Sequence, residues 1–105
     1  MAFEVYIEDK ELEKVYTSGK SSKLRLPDQV TDKFFATIQK IEAAVGIQDL
    51  LADNGLHFEK LKGSTNYYSI RLSGKYRLEM EVERDDDKQT QGRFYLKTIS
   101  NHYGD

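Results

Sequence analysis

The 105 residues contain no cysteine, which excludes disulfides, a thiolate nucleophile and zinc sites built on Cys. Histidine is nearly as scarce, with only His57 and His102, so no conventional metal site and no cofactor is expected. No apolar run approaches the roughly 20 residues that a bilayer-spanning helix needs. The first residues lack the basic and apolar regions of a signal peptide, so the expected location is cytoplasmic. A basic excess is missing as well: 16 Lys and Arg stand against 18 Asp and Glu, a net charge of −2. That balance is the reverse of what most nucleic-acid-binding domains carry.

What the chain does have suits one soluble domain covering residues 1–105. Charged residues make up 32% and hydrophobic residues 38%, and a chain of this length can bury a modest core. Phe3-Glu4-Val5-Tyr6-Ile7 alternates apolar and polar and predicts a strand. Asp9 can cap a short helix with Leu12, Val15 and Tyr16 on its apolar side, broken by the Gly19–Ser22 loop. Pro27 and Asp28 open a longer helix. Val30, Phe34, Ile38, Ile41 and Val45 follow helical spacing, and Gly46 suits the position beyond its end. Ile47 to Leu51 adds a helical turn closed by Asp53-Asn54-Gly55. Strands are expected at Leu56–Leu61, Tyr67–Leu72, Tyr76–Glu83 and Phe94–Ser100. The order of elements predicts an α+β domain, with an N-terminal strand and two helices packed on one face of a mainly antiparallel sheet.

The charge distribution is more informative than its total. Acid collects at Glu79, Glu81, Glu83 and Asp85 to Asp87, whereas Lys60 to Arg77 holds five basic residues and no acidic one. Within that basic segment, Tyr68, Ile70 and Leu72, then Tyr76, Leu78, Met80 and Val82, alternate with polar residues. Residues opposite each other across a hairpin share a face, so the apolar set must pair with itself. Setting Ile70 against Leu78 does this, and it also sets Arg71 against Arg77. Two like charges face to face cost stability unless an anion lies beside them. Arg77 is the first candidate for a phosphate contact, because a planar guanidinium grips two oxygens at once; Arg71 is the second. The plain alternative is a pair of surface arginines bridged to Glu59, Glu79 or Glu81.

The Leu61-Lys62-Gly63 step, the Tyr68-Ser69-Ile70-Arg71 and Tyr76-Arg77-Leu78 strands and the Ile99-Ser100-Asn101-His102-Tyr103 ending resemble the RelE/ParE superfamily of bacterial toxins, and within it the HigB-like branch. The resemblance runs from about Phe3 onward. It implies a compact RelE-like domain that acts as a ribosome-dependent endoribonuclease on messenger RNA. It also implies a cognate antitoxin, in this branch usually a helix-turn-helix, HigA-like protein. Arg77 stands where the family's Tyr-Arg or Trp-Arg pattern places a functional arginine, Arg71 at a roughly matching basic position, and Lys62 at the lysine of the Leu-Lys-Gly step. His102 matches the histidine of the Asp-Tyr-His ending and is the acid–base candidate near neutral pH. The Asp and Tyr before it are Ser100 and Asn101 here, with Tyr103 following. Lys60, Lys75, Tyr67, Asn101 and Tyr103 are the candidate RNA contacts, whose alternative is a solvated surface. ParE-like relatives poison DNA gyrase by binding, and a non-toxic antitoxin-binding relative would also fit this pattern. His57, between Leu56 and Phe58, is expected to be structural or exposed, and Asp85 to Asp87 a solvated loop.

Overall fold

The computed structural model describes residues 3–21, 23–85 and 91–101. Its elements are β1 (Phe3–Ile7), α1 (Lys10–Ser18), α2 (Asp28–Ala43), α3 (Ile47–Ala52), β2 (Glu59–Lys60), β3 (Tyr67–Arg71), β4 (Tyr76–Arg84) and β5 (Gly92–Asn101). The five strands form one sheet in the order β1-β5-β4-β3-β2. β1 runs parallel to β5, and the other neighbours are antiparallel. The expected α+β arrangement is present. Among the described residues no helix is long and apolar enough to cross a membrane.

Local chemistry explains the helix ends. Asp9 is extended and its carboxylate accepts from the backbone N–H groups of Glu11 and Leu12, both at 3.0 Å, satisfying two donors that the first turn leaves open. Gly19 closes α1 at φ +85°, donating its N–H to the Val15 carbonyl, a left-handed conformation that favours glycine. In α2 the stripe Val30, Phe34, Ile38 and Ile41 is buried as its spacing predicts. Val45 departs from it. The helix stops at Ala43, the Asp49 carboxylate takes the Val45 N–H at 2.8 Å, and Val45 is 73% exposed. Gly46 is extended, at φ −161°, and leads into α3 instead of closing α2. Tyr16, 44% exposed, only flanks the core and sits 5.9 Å from the Phe35 ring.

The sheet's inner face meets the helices. Ile70, Leu78, Met80, Phe94 and Leu96 are fully buried there together with Leu12, Phe34 and Ile41. Phe3 and Phe94 meet edge to face at 5.3 Å, tying the two ends of the chain together. A β-bulge between β4 and β5 keeps this face continuous. Glu79 pairs with Thr98 but Met80 with Leu96, so Lys97 is the extra residue. The shift brings Ile99 inward after Phe94 and Leu96, three residues on instead of two, and Ile99 is buried; this phase change is what a bulge does.

The segment Leu56–Leu61 is not the continuous strand that its composition suggests. Only Glu59 and Lys60 pair with β3, and the chain is kinked at His57, which has φ +48°. At the start of β5, between β1 and β4, Gly92 has no room for a side chain. A Cβ there would lie 2.1 Å from the Glu83 carbonyl oxygen, whereas one on Gly74 would meet nothing. Gly92→Ala is therefore expected to destabilise the fold by about 1–3 kcal/mol and Gly74→Ala to leave it nearly unchanged, as read by urea denaturation midpoints.

Candidate functional site

The register of the outer sheet face assembles the site. Ser69 pairs with Glu79 and Arg71 with Arg77; on the other side of β4, Arg77 pairs with Ser100 and Glu79 with Thr98. Glu59 pairs with Ser69 from β2. Because side chains alternate along a strand, these residues share the face turned away from the helices. The result is two adjacent rows: Arg71, Arg77 and Ser100 in one, and Glu59, Ser69, Glu79 and Thr98 in the next. The facing arginines are where the apolar alternation requires them to be.

The two ends of this face differ electrostatically. Toward the far end of β4 the charges neutralise each other. Arg93 reaches Glu83 at 3.2 Å and Asp85 at 2.9 Å, and the Tyr95 hydroxyl donates to Glu83 at 3.0 Å. Hydrogen bonds to Tyr95, Asp85 and Glu83 hold the Arg93 guanidinium above its ordinary pKa. Lys97 is hydrogen-bonded to Glu8, the main reason its pKa is raised, and lies 3.6 Å from Glu81. Tyr6 stacks on Tyr95 with ring centres 5.5 Å apart. Its hydroxyl pKa is raised, chiefly by the Glu4 charge.

At the Arg71–Arg77 end no such neutralisation is found. Among the described residues, neither guanidinium is in an ion pair. The carboxylates that could have bridged them are turned elsewhere in two of three cases. Glu81 accepts from Asn66 at 3.0 Å and neighbours Lys97, and Glu59 faces His57 at 3.9 Å. The Ser69 hydroxyl lies beneath this patch, 1% exposed and without a hydrogen-bond partner among the described residues.

The candidate residues are not all brought together. Lys75 sits in the turn directly beside the arginine pair. Tyr67 is on the same face at the other end of β3, with burial the first cause of its raised pKa. Lys62 lies beyond that end, since the Leu61 N–H donates to the Tyr67 carbonyl. It is thus separated from Arg71 by the length of β3, about 13 Å at the usual rise per residue. Lys60 pairs with the inward-facing Tyr68 and so stands at the edge on the helix side. Asn101 pairs with Tyr76 and lines a groove of about 300 Å³ with Lys23, Arg25 and Ile99, again on the helix side. His102 and Tyr103 lie outside the described residues. Glu59, Glu79 and His57 are not among the site residues expected from sequence; the first two join the face only through the register across β2, β3 and β4.

The arrangement can hold an anion against two guanidiniums with carboxylates one row away. It also makes a stability prediction. Arg77→Ala removes one of two facing like charges and, among the described residues, no ion pair, so its thermal midpoint should match or exceed the parent's. Arg93→Ala, which dismantles a three-partner cluster, should lower it.

A family model described as the RelE-like toxin of the type II toxin–antitoxin system HigB matches residues 5–91. Three solved structures share the fold. A YoeB/ParE toxin from Agrobacterium tumefaciens superposes with a TM-score of 0.61 at 17% identity, covering 95% of this chain and 99% of that one. The YoeB dimer from Staphylococcus aureus gives 0.59 at 18% identity, with 98% and 100% covered. The YoeB-YefM complex from the same organism gives 0.57 at 21% identity, with 98% and 100% covered. No reviewed protein sequence matches the chain.

Proposed function

Since the chain belongs to the HigB-like family of RelE-type toxins from type II toxin–antitoxin systems, we propose that it is an endoribonuclease that cuts messenger RNA on the ribosome. The observation carrying this reading is the pair of facing arginines on the outer sheet face, neither of them in an ion pair among the described residues. In such a cut, a ribose 2′-oxygen attacks the adjacent phosphorus and the bond from phosphorus to the 5′-oxygen breaks. A 2′,3′-cyclic phosphate and a 5′-hydroxyl remain. The step needs charge stabilisation at the phosphoryl oxygens, removal of the 2′ proton and protonation of the leaving oxygen.

Arg77 and Arg71 suit the first of these roles, because they flank one position on the sheet and guanidinium groups match phosphate oxygens in pairs. Lys75 extends the positive charge at the turn, while Lys62 and Lys60, at a distance, suit contacts with the RNA backbone further along. His102 is the proposed proton donor to the leaving oxygen, with Tyr103 beside it in sequence. Tyr67 offers a ring on the same face for a base. By analogy with the YoeB-YefM complex and with the HigB-like branch, the partner is an antitoxin, of the helix-turn-helix kind. These contacts involve only protein side chains and need no cofactor.

Loss of Arg77 should reduce turnover far more than binding. Removing one donor to developing oxyanion charge typically costs ~10²–10³ in rate, or about 3–4 kcal/mol. Arg77→Lys should recover little, because a point charge does not reproduce a two-pronged contact. Single-turnover cleavage by both variants, with mapping of new 5′ ends within translated codons, is the measurement. Normal cutting by both removes Arg77 from the site. Growth arrest with intact transcripts and trapped gyrase–DNA adducts would replace the nuclease reading with a ParE-like one.

A further inference from the structure

His57 has the backbone of a residue placed for function, and we propose that it accepts the 2′ proton in the reaction assigned above, with Glu59 as its positioning partner. The inference rests on the nuclease reading of the open face. Among the described residues, His57 is the one non-glycine with positive φ, at +48°, a left-handed conformation that costs free energy wherever a Cβ is present. Such departures cluster at functional sites because the surrounding structure has to enforce them.

The fold enforces this one. The pairs Glu59–Ser69 and Lys60–Tyr68, continued along the chain, would set Phe58 against Ile70 and His57 against Arg71. Phe58 does turn inward, 5% exposed and stacked on Tyr68 at 4.7 Å. At the next position the ladder slips. The Arg71 N–H donates to the Leu56 carbonyl at 2.7 Å, leaving His57 as an extra residue in the manner of a bulge, the device that re-aims a side chain beside a site. Its imidazole is turned toward Glu59, with Nδ1 3.9 Å from the carboxylate, and the side chain is 42% exposed. The backbone at His57 thereby lies beside Arg71, at the β2 end of the row Arg71, Arg77 and Ser100.

The chemistry follows from the two ring nitrogens. Nδ1 is turned toward the Glu59 carboxylate at 3.9 Å, and Nε2, the other ring nitrogen, is the proposed acceptor. As the 2′-oxygen bonds to phosphorus, its proton passes to Nε2, and the bond to the 5′-oxygen breaks. Glu59 faces the resulting imidazolium, while Arg71 and Arg77 hold the phosphoryl oxygens. Glu59 is the charged group that His57 faces; by register Arg71 stands on the neighbouring strand β3, and Arg77 and Glu79 one strand further on in β4. Donor and acceptor are both protein groups and no oxidant or metal takes part.

The test is single-turnover cleavage of messenger RNA on programmed ribosomes, followed from about pH 5 to 9, with thermal midpoints for each variant. Asparagine tolerates the left-handed region, so His57→Asn should fold normally and lose roughly 10²- to 10⁴-fold in rate. The acidic limb of the wild-type pH–rate profile should disappear with it. His57→Gly should be equally impaired with an unchanged or raised thermal midpoint. Glu59→Gln should keep the limb at a reduced rate. Wild-type cleavage by His57→Asn overturns the proposal, as does a limb that survives in His57→Asn and vanishes in Glu59→Gln, which would make the carboxylate the acceptor. In either case the nuclease reading stands. A wild-type chain that cuts no RNA overturns both.

Discussion

The structure depends on the pairing of β3 with β4. Ile70 must meet Leu78 if the inner face is to close over Phe34, Ile41 and Leu96, all of them fully buried. A slip of one residue would turn the whole apolar set to solvent. With that register fixed, Arg71 and Arg77 have no choice but to oppose each other on the outer face. The hydrophobic core thus enforces an arrangement of charge that would be unfavourable by itself, which is the usual relation between a stable scaffold and a site with uncompensated charge. The same constraint lines up Ser69 with Glu79 and Glu59, so the two rows of the open face are by-products of one packing solution.

The outer face is divided because its charges are distributed unequally along β4. Glu79, Glu81 and Glu83 lie on one side of that strand, but the partners that satisfy the last two come largely from β5. Glu83 is held by Arg93 and Tyr95, and Glu81 by Lys97 and Asn66. This ionic lattice occupies the half of the face away from the turn and leaves the turn end positive. The acidic total charge of the chain therefore does not oppose binding of a polyanion at one end.

Much of this was legible in the residues. Period-two alternation in Tyr68–Leu72 and Tyr76–Val82 specified the hairpin and, through it, the arginine pair, because a half-buried strand records its inner face directly. Asp9 and Gly19 marked both ends of α1 through their capping chemistry. The misreadings share a cause. Val45 continued the helical stripe, yet a side-chain carboxylate four residues later captured its amide and ended the helix early. Leu56, Phe58 and Leu61 suggest a strand, but the ladder slips at His57, and a slip leaves no mark in the hydrophobic pattern. The carboxylate row was invisible for a similar reason. Glu59 and Glu79 are 20 positions apart and become neighbours only across Ser69. Lys62, chosen for its place in the Leu-Lys-Gly step, lies beyond the end of β3 away from Arg71, a separation that the sequence pattern does not record.

The pairing of β1 with β5 has a consequence for how the protein comes into being. The strand nearest the start of the chain lies parallel to the strand nearest its end, and Phe3 packs on Phe94. Contacts so distant in sequence form late, because the loop between them must first be closed. During synthesis at about 5–20 residues per second, β1 and the helices wait for their sheet until β5 has left the ribosome. The core stays open until then, and the Arg77–Ser100 pairing that completes the face is among the last to be laid down. A toxin-family chain built this way carries an incomplete outer face until its last strand is in place. The interval gives an antitoxin already present the time to meet it as it closes.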